Sequence, residues 1–296
     1  MRIAHITRDY YGGELSKALR IDFEVDDFKS YRDIHNPNDY DILLVEYLGL
    51  EAISASKHEH KNLMIRTRGV EVYEGNLRKI CWQNVKWLLV LGKHQKDYFE
   101  RRWGRYNCKP QNIGWLPQVA PLDKFTLREK PEVTSRVAML SNVTGRKGSD
   151  QIPEFLMRYP DKNILHYGTI CAYGYSVAEY VRWKLEKEQI VNRYKHKEWI
   201  DFNEINKWLE DKTYLFFPSI AESFGRAIAE CLCKGIKPII RNFQGAEELW
   251  PKEFLYNNFE DIDRILALPY EPEKYRQWVA GRYSKEKILS MFNDLL

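Results

Sequence analysis

The most telling segment of the chain runs Phe217-Pro218-Ser219-Ile220-Ala221-Glu222-Ser223-Phe224-Gly225-Arg226-Ala227-Ile228-Ala229-Glu230-Cys231-Leu232-Cys233-Lys234-Gly235. A buried strand ends at Phe217, and a loop carrying Glu222 and Gly225 follows. Next comes a helix with apolar Ala227, Ile228, Cys231 and Leu232, stopped by Gly235. Another strand, Pro238–Arg241, comes after it, as a parallel sheet requires. Main-chain N–H groups at the helix start have no intrahelical partner and lie at the positive end of its dipole, which favours a diphosphate. Glu222 and Glu230 are eight residues apart. If helix covers that interval, the rise is about 12 Å, close to the span from sugar to ribose of an extended nucleotide-sugar. One carboxylate then stands at each end to accept hydrogen bonds from hydroxyls.

Outward from this segment, short apolar runs alternate with charged helical stretches. Ile3–Ile6, Ile42–Val45, Leu63–Arg66 and Trp87–Leu91 read as strands buried on both faces. The pattern restarts with Arg136–Leu140, Asn163–Tyr167, a weak Trp199–Ile200, Tyr214–Phe217 and Pro238–Arg241. Two α/β sets in tandem imply two doubly wound domains. Prolines 117, 121 and 131 mark the boundary, giving an N-terminal domain over 1–128 and a C-terminal domain over 129–275. The tail, 276–296, has helical spacing and is expected to pack back on the first domain.

The 296 residues are 44% hydrophobic and 30% charged, with a formal charge of +4. No apolar run reaches the roughly 18 residues of a membrane-spanning helix, so no transmembrane segment is expected. Five cysteines in such a chain are not a disulfide framework, which makes a reducing cytoplasm the expected location. His58-Glu59-His60 lacks a third ligand at sensible spacing, so no metal site is expected. From Lys57 to Lys109 there are 13 Lys/Arg against 5 Asp/Glu, interleaved with tryptophan and tyrosine. Such a patch attracts phosphate-bearing surfaces, unless it is simply a solvated helical face.

Pro-Ser-x-x-Glu-Ser-Phe-Gly at 218–225, with Glu230 beyond it, resembles the donor motif of retaining GT-B glycosyltransferases of the large family-4 type (glycosyl transferases group 1). The resemblance runs collinearly along the chain. Tyr11-Gly12-Gly13-Glu14 is similar to the glycine pair of the first loop, and Arg66 to Tyr73 to the segment where many members carry His-Gly. Gly145-Arg146-Lys147-Gly148 resembles the Lys-Gly phosphate loop, Gly168 the glycine after the next strand, and Gln244 to Leu249 the late Gly-x-x-Glu-Leu stretch.

The resemblance implies two Rossmann-like domains facing across a cleft, the N-terminal one receiving the acceptor and the C-terminal one the nucleotide-sugar donor, and a retaining, metal-independent transfer from a UDP- or GDP-linked sugar to an acceptor hydroxyl. It implies catalytic roles for Lys147 and Glu222, with Lys147 neutralising the leaving diphosphate. Glu230 would bind the ribose, and Ser223, Phe224 and Gly225 would contact sugar and phosphate through main chain. Gly168 would line the donor site. Gly12 and Gly13 would let backbone approach the diphosphate, since glycine alone combines positive φ with close approach. The family arginine five residues before the lysine is Asn142 here, which leaves Arg146 as the second cation of the leaving-group site. Where many relatives have an acceptor-side histidine this chain has Arg68, which either pins an anionic acceptor or pairs with Glu71. Candidate acceptors are DNA, an anionic lipid and a glycan. Two alternatives stay open: a transferase acting on hydroxylated bases in DNA, and a non-catalytic nucleotide-sugar or nucleic-acid binder of the same fold.

Overall fold

The computed structural model describes residues 1–7, 12–69, 75–102, 109–128 and 132–296. The chain divides into two compact units: Met1–Ala120 with Arg282–Leu296, and Pro121–Gly281. That division falls inside the proline-bearing stretch.

Unit 1 contains β1 (Arg2–Ile6), α1 (Gly12–Leu19), β2 (Glu24–Phe28), β3 (Ile42–Glu46), α2 (Leu50–Ser56), β4 (Leu63–Arg66), β5 (Trp87–Val90), α3 (Lys93–Arg102) and β6 (Asn112–Trp115). Its sheet has the order β2-β1-β3-β4-β5-β6, and every pairing is parallel. The inner strands are apolar because both faces are covered. Ala4, Ile6, Leu43, Val45, Leu63, Ile65, Leu88 and Val90 pack with Trp82 and Phe99 in one core.

Unit 2 repeats the plan with β7 (Arg136–Leu140), α4 (Ile152–Arg158), β8 (Asn163–Tyr167), α5 (Tyr175–Lys187), β9 (Tyr194–Lys197), α6 (Phe202–Trp208), β10 (Tyr214–Phe217), α7 (Arg226–Lys234), β11 (Lys237–Arg241), α8 (Ala246–Leu249), β12 (Leu255–Tyr256) and α9 (Phe259–Ala267). The order is β12-β11-β10-β7-β8-β9, again all parallel. Trp199–Ile200, a strand candidate by sequence, lies outside the sheet. The strand there is β9, an edge strand whose alternate residues are exposed lysines, so no apolar run marks it. The division between units falls within α10 (Pro272–Tyr283). The last helix, α11 (Lys285–Asn293), packs on α1 in unit 1, with the Phe23 and Phe292 rings edge to face at 5.8 Å.

The strand orders matter for function. In unit 1 the direction of winding reverses between β1 and β3, and in unit 2 between β7 and β10. Open parallel sheets bind ligands outside the carboxyl ends of their strands at such reversals.

Close loop packing at the carboxyl end of unit 2 depends on glycine. A Cβ added at Gly168 would run into the Ser141 carbonyl oxygen. Gly168→Ala is expected to lower the stability of unit 2 by about 1–3 kcal/mol, the cost of overpacking. Urea denaturation checks this, and an unchanged midpoint would show that the two loops separate freely.

Candidate functional site

The loops after β7 and β10 meet at the reversal point of unit 2. After β7, Thr144 caps a short turn over Gly145–Lys147, its hydroxyl oxygen accepting from the Lys147 amide at 3.2 Å. Gly148 then takes a left-handed conformation at φ +68°, and a Cβ there would strike the Pro218 carbonyl of the second loop. The Ile220 amide donates to the Arg146 carbonyl at 2.9 Å, and Arg146 Nη1 donates to the Ala221 carbonyl at 3.1 Å. Lys147 Nζ forms an ion pair with Glu222 Oε1, both side chains being largely covered. Arg146 and Lys147 are thus brought together with Glu222, which lies 75 residues beyond Lys147 in sequence. Arg146 is exposed, and Asn142 is exposed as well.

Beyond Glu222 the chain turns at Gly225, which has φ +83°, and α7 begins only at Arg226. This corrects the expectation of continuous helix from Glu222 to Glu230. Glu230 is four residue steps along the helix from Arg226, about 6 Å of rise, and the positive-φ glycine sets Glu222 off the helix. Phe224 is buried, its ring 5.0 Å from that of Trp250, while its carbonyl accepts from Trp250 Nε1 at 2.9 Å. The phenyl group is therefore a core element. Ser223 is half-buried on the loop.

Glu230 lies in the interior, 5% exposed. Its carboxylate takes a 2.7 Å ion pair from Arg226 Nε, one helical turn earlier. Burial raises its pKa, and the nearby Arg226 charge offsets part of that rise. The Arg226 guanidinium stands 4.6 Å over the Phe202 ring at the start of α6.

Gly168 sits where the loop after β8 crosses Ser141, so its missing side chain serves loop packing. His166, two residues earlier, is fully buried. Its Nε2 is 2.8 Å from the Ser141 carbonyl and its Nδ1 2.9 Å from the Tyr194 hydroxyl. Burial pushes its pKa down to about 3. The imidazole is a satisfied neutral core group.

In unit 1, Gly12 and Gly13 open α1, while Tyr11 lies outside the described residues. Gly13 is not among the positive-φ glycines, and a Cβ there would meet nothing within 4 Å. Positive φ therefore does not explain Gly13, and no protein atom crowds its missing side chain. The first turn of a right-handed helix has negative φ.

Arg68 is buried and pairs through Nε with Glu46 Oε2; Glu71, its partner by sequence, lies outside the described residues. Glu46 also takes Arg66 Nη1 at 2.8 Å and faces His5 Nε2 at 3.4 Å. The other His5 nitrogen is 2.7 Å from Ser16 Oγ and 3.0 Å from Asp27 Oδ1. This charged network at the reversal of unit 1 was missed by sequence reasoning. Its one visible signal is an acid closing the apolar run Ile42-Leu43-Leu44-Val45-Glu46. His58 stacks on Tyr31 at 5.9 Å, and His60 Nε2 bonds to the Ala55 carbonyl at 3.1 Å. Among the described residues no cluster of three or more His, Cys, Asp or Glu is placed to hold a metal ion.

Two parallel six-stranded sheets with loops of this kind at their reversal points define the GT-B class of fold, the fold of glycosyltransferases. Solved structures of that class match along the whole chain. HepE from Anabaena in complex with UDP-glucose superposes with a TM-score of 0.75 at 12% identity, covering 99% of this chain and 98% of that one. Sucrose-phosphate synthase from Thermosynechococcus elongatus gives 0.73 at 15% identity, covering 100% and 98%. A glycosyltransferase from Rickettsia africae gives 0.71 at 15%, covering 99% and 97%. Identities this low establish likeness of fold. No family model matches the sequence, and no curated protein does. No helix among the described residues is long and apolar enough to cross a membrane.

Proposed function

We propose that this chain is a retaining glycosyltransferase whose donor is a nucleoside-diphosphate sugar. The observation that carries this reading is the Lys147–Glu222 pair, formed by two loops at the sheet reversal beside the start of α7. HepE, which shares the fold, has been seen with UDP and with UDP-glucose, and the same donor class suits this site. In the reaction, the bond between the anomeric carbon and the β-phosphate oxygen breaks and its electron pair leaves with the diphosphate. The acceptor hydroxyl oxygen bonds to the anomeric carbon on the same face, and its proton passes to the departing phosphate. Lys147 and the first amides of α7 stabilise the departing charge without a metal ion. Glu222 accepts from a sugar hydroxyl, and Glu230 from the ribose once Arg226 yields.

The cation proposed for phosphate and the anion proposed for sugar are paired with each other, so the donor replaces one ion pair by two separate contacts. Glu222→Gln frees Lys147 for phosphate and weakens the bond to sugar. UDP is expected to bind more tightly and UDP-glucose to lose ground relative to it by about 1.5–3 kcal/mol, the worth of a hydrogen bond to a charged group. Calorimetric titration of both ligands tests the reaction. An unaltered ratio of the two dissociation constants would remove Glu222 from the sugar.

Glu230→Ala is expected to weaken UDP binding by about 1.5–3 kcal/mol while leaving inorganic pyrophosphate binding as it was. Equal losses for both ligands would instead mean that the variant had displaced Arg226 and the helix tip.

A further inference from the structure

Exposed aromatic side chains are concentrated on one part of unit 2. Tyr173 is 74% exposed and Trp183 54%, with Tyr175 and Tyr180 also open to solvent. Soluble surfaces rarely group large rings in this way without a ligand or partner. Ser176, Tyr180, Trp183 and Lys187 recur at helical spacing along α5, so they share one face over about 16 Å. The Tyr180 and Trp183 ring centroids are 6.2 Å apart, and Lys187 Nζ lies 5.2 Å from the Trp183 ring. Val181 and Leu185, on the other side, are buried and hold the helix down.

The row begins at the candidate donor site. A Cβ at Gly174 would strike the Val143 carbonyl, and the position of one at Gly145 touches Val177 of α5. The start of α5 is therefore packed against the turn that carries Lys147. Beside Tyr180 is a shallow, open hollow of about 440 Å³, lined by Asp150, Gln151, Glu154, Ser176, Val177 and Tyr180. That volume lies within the usual 300–1,000 Å³ of a small-ligand site (about one short saccharide's worth of space).

We propose that this face binds a glycan: a saccharide chain lies along α5, stacking on Tyr180 and Trp183, with a sugar unit in the adjoining hollow. Tyrosine and tryptophan pair an apolar ring with a polar edge, which suits the C–H faces and hydroxyls of pyranoses. Asp150 and Glu154 supply acceptors for those hydroxyls. Charge on the face is internally balanced, since Arg182 pairs with Glu186 at 3.1 Å and Lys184 with Glu188 at 2.8 Å. Anionic membranes select for basic excess, and a self-associating face for continuous apolar surface. Neither describes acids lining a hollow beside separated rings. The choice of a saccharide rests on the proposed transfer reaction, while the face itself does not.

The test is a printed array of neutral and acidic oligosaccharides covering the common linkages, probed with the full chain and with a Tyr180→Ala/Trp183→Ala double variant. Both residues are exposed, so the variant is expected to keep its melting temperature. The expected result is binding of oligosaccharides but not of monosaccharides, weakened at least about tenfold in the double variant, the cost of truncating ring anchors. No saccharide bound, or binding equal in the two proteins, overturns the proposal. So does ring-dependent binding to phosphatidylglycerol vesicles, or self-association lost in the variant, in place of saccharide binding. UDP calorimetry on both proteins separates the failures, because loss of the donor reading removes UDP binding from the parent as well.

Discussion

Lys147→Ala is expected to lower kcat for sugar transfer by about 10²–10³-fold, or roughly 2.7–4 kcal/mol, the usual loss when one donor to developing negative charge is removed. The lysine is held by both ends. Its amide donates to the capping Thr144, and its ammonium is fixed on Glu222 across the two loops. Once the donor has displaced Glu222, the capped turn still holds Lys147 at the loop junction where the diphosphate departs, and the effect should therefore fall on kcat more than on KM. Arg146 is the other cation of the turn, but its Nη1 is engaged with the Ala221 carbonyl. Lys147→Arg restores charge without the point-like ammonium and should recover only part of the rate. Steady-state release of UDP from UDP-glucose, with and without acceptor, reads both variants. A Lys147→Ala enzyme with unchanged kcat and raised KM would mean that the lysine only binds the ground state. It would then have no part in leaving-group departure.

The residues that made this site legible in the sequence are those whose chemistry is local. The buried runs Ile3–Ile6, Ile42–Val45 and Leu63–Arg66 coincide with β1, β3 and β4, because central parallel strands must be apolar on both faces. The segment 217–235 showed its strand, its turn glycine and its C-terminal glycine, since each of these has a side-chain requirement of its own. Edge strands do not. Glu24–Phe28 carries two aspartates and Asn112–Trp115 is short, yet both are strands because a neighbour supplies the pairing. Non-local electrostatics was equally hidden. The Arg226–Glu230 pair, one helical turn apart, is a local contact that the spacing signals, whereas the burial of Glu230 depends on the rest of the fold. Glu46, His5 and Asp27 meet only after three strands have been aligned.

That last cluster carries the second large effect. Glu46→Gln is expected to destabilise unit 1 by about 3–5 kcal/mol, because a buried ion pair broken on one side leaves the opposite charge uncompensated. Arg66 cannot swing into solvent, since its Nε donates to the Leu116 carbonyl at 3.1 Å and its Nη2 to the Pro117 carbonyl at 2.6 Å. Arg68 is held in the same place, its guanidinium 5.5 Å from the ring of Tyr47, a residue at φ +76°. The same network sets a pH profile. Burial alone would lower the pKa of His5, but its bonds to Asp27 and Glu46 more than reverse this and leave it above its ordinary 6.5. A raised histidine lends stability in full below about pH 6.5, and loses it as pH climbs through the folded value. Asp27, despite partial burial, is held down to about 2 by His5 and Ser16, so its contribution is present above about 3.8 and fades as pH falls through about 2. Unit 1 should accordingly be most stable between about pH 4 and 6.5 and weaken on the alkaline side. Removing the Glu46 charge should flatten that alkaline fall, because His5 loses one of the two acids that raise its pKa. Urea denaturation of the full chain at pH 5.5 and 8.5, followed by tryptophan fluorescence, measures both. If Glu46→Gln cost under 1 kcal/mol at pH 5.5 and kept the parent's alkaline slope, the guanidinium groups would have to be solvated, and Glu46 would not be the anchor of Arg68.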